Sequence, residues 1–185
     1  MERFIAHYIE DHRRLLASID TVEMERVIAA VGKVRDQGGQ IFAVGNGGSA
    51  STASHFVNDL AKGASLGSGK RFKVISLTDN VEWITALGND LCFEDIFVEQ
   101  LRNFAAPGDI LIALSGSGNS ENVLRAVRYA NQVGCTTVGF IGFAGGALKE
   151  LVDHAIVIDS EHMGRIEEMH VVLQHMICYY FTERE

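Results

Sequence analysis

The sequence predicts an α/β fold, a three-layer α/β/α sandwich in which a central parallel sheet lies between two layers of helices. Short apolar runs alternate along the chain with segments of helical periodicity, a pattern typical of a parallel sheet covered on both faces. Hydrophobic residues make up 47% and charged residues 22% of the 185 residues, as in an ordinary globular protein. The single proline, Pro107, fits helices that run without interruption.

The predicted elements follow one another in a regular order. Residues 2–36 show helical periodicity with a break near residues 18–25, where Asp20 or Thr21 can cap a second helix. A glycine then ends this helix before the first strand. The predicted strands are Gln40–Val44, Phe72–Leu77, Asp109–Ser115, Thr136–Gly142 and His154–Asp159, and the later helices are Ser49–Leu60, Ser120–Gly134, Leu148–Val152 and Arg165–Thr182.

Length, charge and cysteine content limit the possible function classes. The chain fits one domain over residues 1–185, with N-terminal helices over 1–36, an α/β core over 37–163 and a C-terminal helix over 164–185. The formal net charge of −8 argues against a nucleic-acid-binding surface. The three cysteines lie far apart in apolar runs, which indicates free thiols. The charged N-terminus is unlike a signal peptide and no apolar run is long enough for a membrane span, so we expect a soluble, cytoplasmic protein.

Two loops rich in glycine and serine have the composition of anion-binding sites. The first is Gly45–Ser49 and the second is Ser115–Ser120, and each connects a predicted strand to a predicted helix. Such loops offer free backbone N–H groups, hydroxyl donors and the positive end of a helix dipole. Neither matches the P-loop or the dinucleotide-binding fingerprint. They indicate a phosphate monoester without a nucleotide, and the alternative is that each forms only a tight turn and a helix cap.

His55 and Asp59 follow the first loop at a spacing of four residues. This spacing places both side chains on one face of the helix. The small residues before them let a ligand approach the backbone, while an imidazole and a carboxylate supply acid–base or metal-binding chemistry. The alternative interpretation is a core histidine that is hydrogen-bonded to Asp59.

The motifs "GNGGSA" and "SGSGNS", with "GND" at Gly88–Asp90 between them, resemble those of the sugar isomerase (SIS) domain family. Within that family the chain is most similar to the phosphoheptose isomerases, and the similarity covers nearly the whole chain. The resemblance implies a flavodoxin-like sheet with N- and C-terminal oligomerisation helices. It also implies that sedoheptulose 7-phosphate and D-glycero-D-manno-heptose 7-phosphate are interconverted through an enediol, without ATP, NAD or flavin.

The same resemblance assigns roles to the residues of both loops. It implies that the serine-rich loop holds the phosphate and that the first loop contacts the sugar. The family often has threonine where this chain has Gly116, so one hydroxyl donor is missing here. Asn89 and Asp90 are implied to contact sugar hydroxyls, and their local alternative is a polar turn after a helix. The residues implied to bind substrate are Asn46, Gly47, Gly48, Ser49, Asp59, Asn89, Asp90, Ser115, Gly116, Ser117, Ser120 and Glu167.

A metal site and a catalytic pair are also implied by the resemblance. Similar family members hold zinc with a histidine and a glutamate on one helix and a glutamine and a histidine on the last helix. We assign Asp59 as the base and His175 as the acid, and a site that works without a permanent metal is the alternative. The residues that match the zinc ligands, a set able to bind zinc or a similar divalent cation, are His55, Asp59, Glu167 and His175.

This set departs from the family pattern at two positions. Asp59 is one methylene shorter than the family's glutamate, and Glu167 replaces a neutral glutamine. Glu167 and His175 are also eight residues apart, about 12 Å along a helix axis. They can therefore bind one ion only if they approach it from opposite sides or if Glu167 lies at a bent N-terminus of the helix. His170 on the same helix is a further polar candidate, and Glu167 is the second candidate for the base.

The sequence also bears on assembly, and it leaves alternatives for the class of function and for the substrate. The apolar stripes of the first 35 residues and of the last helix exceed what one sheet face needs, and relatives use these helices to build a homotetramer with active sites between subunits. Some SIS proteins of this size are regulators without catalysis, including one that binds the bacterial replication initiator, but they lack the complete acid and imidazole set. Another six- or seven-carbon phosphosugar is the alternative substrate.

Overall fold

The computed structural model describes residues 1–66 and 69–184, which form one parallel sheet with helices on both faces. The strands are β1 (Gln40–Gly45), β2 (Lys73–Ser76), β3 (Ile110–Ser115), β4 (Thr136–Gly142) and β5 (His154–Ile158). They pair in parallel in the spatial order β2-β1-β3-β4-β5. This is the order of the flavodoxin-like doubly wound fold, and the predicted three-layer α/β/α class is confirmed.

Helices precede, connect and follow the strands. They are α1 (Glu2–Ala17), α2 (Thr21–Asp36), α3 (Gly48–Asn58), α4 (Val81–Asp90), α5 (Val98–Phe104), α6 (Glu121–Val133) and α7 (Met163–Glu183). The predicted break between the first two helices is confirmed, since the Asp20 side chain caps α2 by accepting from the N–H groups of Val22 and Glu23. None of the helices in the described ranges combines the length and the apolarity that crossing a membrane requires.

Alternate residues of each strand face opposite helix layers, which gives the sheet an apolar core on both sides. In β1, Ile41 and Ala43 pack with residues of α2, α3 and α7, whereas Phe42 and Val44 pack with residues of α5 and α6. Helices α3 and α7 therefore lie on the same face of the sheet and contact each other. These two helices, with Asp59 directly after α3, carry the predicted histidine and carboxylate residues.

The structure differs from the sequence prediction in three segments. The predicted helix Ser49–Leu60 becomes a π-helix at Asp59–Gly63, where the N–H of Ala64 donates to the carbonyl of Asp59. The predicted helix Leu148–Val152 is a short 3₁₀ turn over Ala147–Glu150. Residues 93–104 form a 3₁₀ turn followed by α5, and so short a helix gives no clear periodicity in the sequence.

The strand order identifies the edge of the sheet where a ligand binds. Strands β2 and β3 both follow β1 in the chain but lie on opposite sides of it. Connections from β1 and β3 therefore leave towards opposite faces, and a crevice opens between them at the carboxyl ends of the strands. The glycine- and serine-rich loops are the segments that leave these two strands.

Candidate active site

The two loops are joined at the carboxyl ends of β1 and β3. Asn46 of the first loop and Asn122 of α6 exchange two hydrogen bonds of 2.8 Å between their side-chain amides. The Asn122 oxygen also accepts from the N–H of Val123 at 2.9 Å, and the residue is buried. This pair holds the loops at a fixed separation in the crevice of the sheet.

Between the loops lies a cleft of about 280 Å³. Helices α3 and α6 begin beside it, and the start of a helix offers N–H groups and the positive end of the helix dipole to an anion. The cleft is lined by Asn46, Gly47, Gly48, Ser49, Leu114, Ser115, Gly116, Ser117, Ser120, Met163 and Glu167. All of these except Leu114 and Met163 are residues that the sequence implied for substrate binding.

The serine-rich loop is anchored to the end of β4 and to the segment that follows it. The carbonyl of Gly116 accepts from the N–H of Gly142, and the carbonyl of Gly118 accepts from the N–H of Leu148, both at 2.9 Å. Gly118 has a φ of +66°, and a Cβ there would overlap the carbonyl oxygen of Gly145, so glycine is required. The loop is therefore a preformed cradle.

The serine hydroxyls of this loop are placed to donate. Ser115 Oγ accepts from the N–H of Gly118, and Ser117 Oγ accepts from the N–H of Asn119, both at 3.2 Å. Each hydroxyl proton remains available to a ligand, because a hydroxyl accepts and donates at once. Ser120 is the N-cap of α6, and within the described chain its side chain makes no capping hydrogen bond. A phosphate can thus receive hydroxyl and backbone donors from one loop.

The structure brings His55, Asp59 and His175 together. Nε2 of His55 lies 3.2 Å and Nε2 of His175 lies 3.4 Å from the same oxygen, Oδ2 of Asp59. The two imidazole rings meet edge to face, with centroids 5.1 Å apart. One ligand atom from each residue lies within 4.8 Å of the other two. The three partly exposed side chains form a His–Asp–His cluster in which Asp59 opens the π-helix and His175 comes from α7.

Two further polar side chains of α7 lie outside this cluster. His170 is buried beside the ring of Phe140, and burial lowers the pKa of its imidazole to about 4. Cys178 is also buried, and desolvation together with the charge of Asp59 raises the pKa of its thiol. Among the described residues, the set able to share one ion consists of His55, Asp59 and His175. The further candidate His170 is therefore a core residue.

Glu167 lies apart from the three residues with which the sequence grouped it. A Cβ at Gly48 would lie 2.7 Å from each carboxylate oxygen of Glu167. The carboxylate therefore stands over the start of α3, in the wall of the cleft. His175, eight residues later on α7, faces the far end of the same helix α3. The structure thus places Glu167 with the substrate-binding loops and away from the cluster.

Asn89 and Asp90 are placed outside the cleft. They are exposed residues of the last turn of α4, where the Asn89 amide donates to the Asp90 carboxylate at 2.9 Å. Within the described chain they line none of the cleft described above. The predicted polar turn after a helix is instead the end of that helix.

Two residues that shape the cleft, one in its wall and one behind it, were not singled out from the sequence as site residues. Met163 begins α7 and lines the cleft, but an apolar residue near a helix start carries no chemical signal. Asn122 closes the pair with Asn46, and its place two residues after the end of the "SGSGNS" motif was the signal that could have identified it.

Fold and site define a doubly wound α/β protein that offers an anion-binding cleft at its switch point. The chain belongs to the SIS domain family, whose sequence model matches residues 7–142. A probable phosphoheptose isomerase of Thermoplasma acidophilum is 34% identical over 177 residues, which cover 96% of this chain and 97% of that protein. A phosphoheptose isomerase of Nitratiruptor sp. is 42% identical over 144 residues, 78% of this chain and 76% of that protein. The solved structure of a phosphoheptose isomerase from Neisseria gonorrhoeae superimposes with a TM-score of 0.89 at 29% identity and covers 97% of each chain.

Proposed function

We propose that this chain is an aldose–ketose isomerase that interconverts sedoheptulose 7-phosphate and D-glycero-D-manno-heptose 7-phosphate. One observation carries the proposal: a cleft with phosphate-binding chemistry lies at the start of α3 and α7, and both of these helices lead to a His–Asp–His cluster. Relatives that span nearly the whole chain are phosphoheptose isomerases by name. The chain is accordingly an enzyme of the isomerase class.

The phosphate lies in the serine-rich loop in this proposal. Ser115, Ser117 and Ser120 donate hydroxyl protons, and the first N–H groups of α6 add donors to the same oxygens. The open sugar chain then extends along α3 and α7. His55 lies seven residues beyond Gly48, about 10 Å along the axis of α3. Asn46, Ser49 and Glu167 contact the sugar hydroxyls on the way.

Asp59 acts as the base in the proposed reaction. Its carboxylate takes a proton from C1 of the ketose, the C–H electrons form the C1–C2 double bond, and an N–H of His175 protonates the carbonyl oxygen at C2. The resulting cis-enediol then collapses in the reverse sense. His175 takes the proton from the oxygen at C1, and Asp59 returns its proton to C2, which yields the aldose. The 3.4 Å between Asp59 and His175 allows both to reach adjacent atoms.

The cluster fits a divalent metal ion by its donor set. Two imidazole nitrogens and one carboxylate oxygen are ligands typical of zinc, and three protein ligands leave a coordination position open. We propose that His55, Asp59 and His175 hold zinc or a similar ion. When bound, such a cation stabilises negative charge on the enediol oxygens. Glu167 stays outside this set, because its carboxylate faces Gly48.

Other functions and substrates are less well supported. A regulator without catalysis is not favoured, because the acid and imidazole cluster is complete and the relatives that span the chain are isomerases by name. A six-carbon phosphosugar or another seven-carbon phosphosugar remains the alternative substrate. Asn89 and Asp90 lie outside the cleft, so they would contact a sugar bound there only if they came from a second copy of the chain or if α4 moved.

Organisation and assembly belong to the same proposal. We propose that residues 1–185 act as one domain, and two apolar clusters that share one sheet support this. A homotetramer is supported by exposed apolar side chains on α1, including Phe4, Ile5 and Ile9, and by Met176 and Tyr179 on α7. A cytoplasmic location is supported by three cysteines that are all free thiols.

The direct test is an isomerisation assay on a panel of ketose phosphates with five, six and seven carbons, with and without a chelator. We expect the highest kcat/KM on sedoheptulose 7-phosphate and a lower rate after metal removal. Conversion of none of these sugars by a folded protein that still binds inorganic phosphate would refute the isomerase proposal and favour a regulator. Preference for another sugar would correct only the substrate.

A further inference from the structure

Met163, the first residue of α7, fills a space above the serine-rich loop. A Cβ at Gly116 would overlap Sδ of Met163 and would lie 3.2 Å from its Cε. The methionine side chain therefore occupies the volume that any larger residue at position 116 would need. One wall of the cleft is thus built jointly by a glycine of the loop and a methionine that lies 47 residues later in the sequence.

Helix packing fixes the backbone position of this methionine. Ile166 is fully buried in the same helical turn, and a Cβ at Gly142 of β4 would overlap its side chain. Glu167, one turn after Met163, lies against Gly48 of the first loop. The first two turns of α7 therefore form one wall across both loops. A small shift of the helix cannot withdraw Met163 from the cleft, because the shift would break these contacts.

Met163 differs in chemistry from the other lining residues. Leu114, the other bulky apolar residue of the cleft, is fully buried, whereas Met163 is 43% exposed. A thioether has no hydrogen-bond donor for a phosphate oxygen. It offers bulk and an adaptable apolar contact. Its action on a ligand is therefore steric.

We propose that Met163 is a specificity-determining residue, which limits the room for the sugar carbons next to the phosphate. This proposal rests on the proposed function, since it takes the ligand to be a phosphosugar whose phosphate lies on the serine-rich loop. With Met163 present, these carbons are confined to a path along α3 and α7. The reacting end then meets Asp59 only when the chain has the matching length. Without the methionine side chain, the sugar bends into the added space and substrates of different length are held alike.

The kinetic test compares the wild type, Met163→Ala and Met163→Leu on fructose 6-phosphate and sedoheptulose 7-phosphate. Met163→Ala is expected to bring the two kcat/KM values closer by about tenfold or more, the effect of a changed methylene contact in a pocket. Met163→Leu conserves the volume and is expected to keep the ratio within about threefold. A ratio that stays constant in Met163→Ala, or that collapses equally in Met163→Leu, overturns the proposal.

A binding test separates this proposal from the proposed function, because it needs no turnover. Calorimetry gives the Kd of sorbitol 6-phosphate, which has no carbonyl, and the Kd of inorganic phosphate. Met163→Ala is expected to change the first at least about fivefold and the second less than about twofold, since only the sugar carbons meet the side chain. If these shifts are found but the wild type has no isomerase activity, the role of Met163 is retained and the proposed function is refuted. If the ratio of the two Kd values is the same in the wild type and in Met163→Ala, the role of Met163 is refuted even in an active enzyme.

A paired substitution tests the contact itself. Gly116→Thr directs a side chain onto the Met163 thioether, and we expect it to weaken phosphate binding at least about tenfold, because overpacking distorts the loop. Gly116→Thr combined with Met163→Ala removes the overlap and is expected to restore most of the affinity. Equal affinities of the single and the double variant would show that the two positions are not coupled.

Discussion

Asn46 and Asn122 join the two loops of the cleft through a reciprocal pair of amide hydrogen bonds, each 2.8 Å long. Each side chain is donor and acceptor at once, which an amide allows and a carboxylate does not. The pair connects the ends of β1 and β3 without adding charge beside the cleft. Its geometry therefore sets the separation of the loops while leaving the site favourable for an anion.

Asn122→Asp tests this connection. The substitution removes the N–H donor and brings a carboxylate against the Asn46 oxygen, so the free energy of unfolding is expected to fall by about 1–3 kcal/mol. The added negative charge should also weaken phosphate binding about tenfold or more. Urea unfolding and calorimetry measure the two effects. Gln132→Glu, at an exposed position of α6, makes the same change from amide to carboxylate; it is the control and is expected to stay within about 0.5 kcal/mol.

Ser117→Ala and Ser120→Ala test the phosphate loop. Each removes one hydroxyl donor to a charged oxygen, a loss of about 1.5–3 kcal/mol, so KM for the phosphosugar is expected to rise about tenfold or more while folding is little changed. Ser51→Ala on the exposed side of α3 is the matched control. Unchanged ligand affinity of both loop variants in calorimetry would remove the phosphate from this loop.

The cleft could be predicted from the sequence because its parts are local. Each loop is a run of small residues between an apolar strand and a helix, and parallel topology brings the carboxyl ends of such strands to one edge. His55 and Asp59 were likewise predicted to share a helix face from their spacing alone, and their side chains lie 3.2 Å apart.

The remaining features depend on contacts between distant segments. Spacing places Glu167 and His175 on one helix but does not reveal which part of α3 each of them meets. In the structure the first faces Gly48 and the second faces Asp59, which separates the two predicted ligands. Met163 reaches the cleft only through the way α7 crosses the loops. The end of α4 similarly leaves Asp90 outside the cleft, which no local pattern indicates.

The proposed metal site predicts which variants lose the bound ion and which retain it. Protein purified without chelator is expected to contain close to one equivalent of zinc or a similar ion, and His55→Ala or His175→Ala should lose it, because each removes one of three ligands. Glu167→Gln should retain it, since this carboxylate faces Gly48. Elemental analysis checks all three.

His7→Ala, which removes an exposed imidazole of α1, is the control and should retain the ion. Equal loss in Glu167→Gln and His55→Ala would return Glu167 to the ligand set. If the wild-type protein contains no metal, and added ions neither bind to it nor activate it, the metal proposal is wrong and Asp59 and His175 act alone.

The pKa of His170 predicts how the free energy of unfolding depends on pH. Burial lowers the pKa of this imidazole from the usual 6.5 to about 4, so the unfolded chain binds the proton more readily than the folded protein. The contribution of His170 to the free energy of unfolding is therefore highest above about pH 6.5, where the ring is neutral in both states. It falls as the pH drops towards 4, because the unfolded chain takes up the proton first. Over that window His170 is expected to lower the free energy of unfolding by up to about 3 kcal/mol.

His170→Leu should remove this dependence, because the apolar side chain does not titrate. His170 is fully buried, and leucine places an apolar side chain in the same apolar surroundings. Urea unfolding at pH 5 and pH 8 should show the larger gain at pH 5. His7→Gln at an exposed position is the control. A His170→Leu profile parallel to that of the wild type would assign the pH dependence to other groups.

Asp59→Asn gives the sharpest test of the mechanism. The amide keeps nearly the same shape beside both imidazoles but cannot take a proton from carbon. Loss of the base is expected to reduce kcat and the exchange of substrate hydrogen with solvent by about 10²–10⁴, while the Kd of inorganic phosphate stays constant. Asp59→Glu keeps a base one methylene further out and should lose less activity. Glu25→Gln, which removes an exposed carboxylate of α2, is the control and should leave kcat unchanged.

Full turnover in Asp59→Asn would show that Asp59 is not the base. Glu167 is then the next candidate, and a loss of kcat of the same size in Glu167→Gln would identify it as the base.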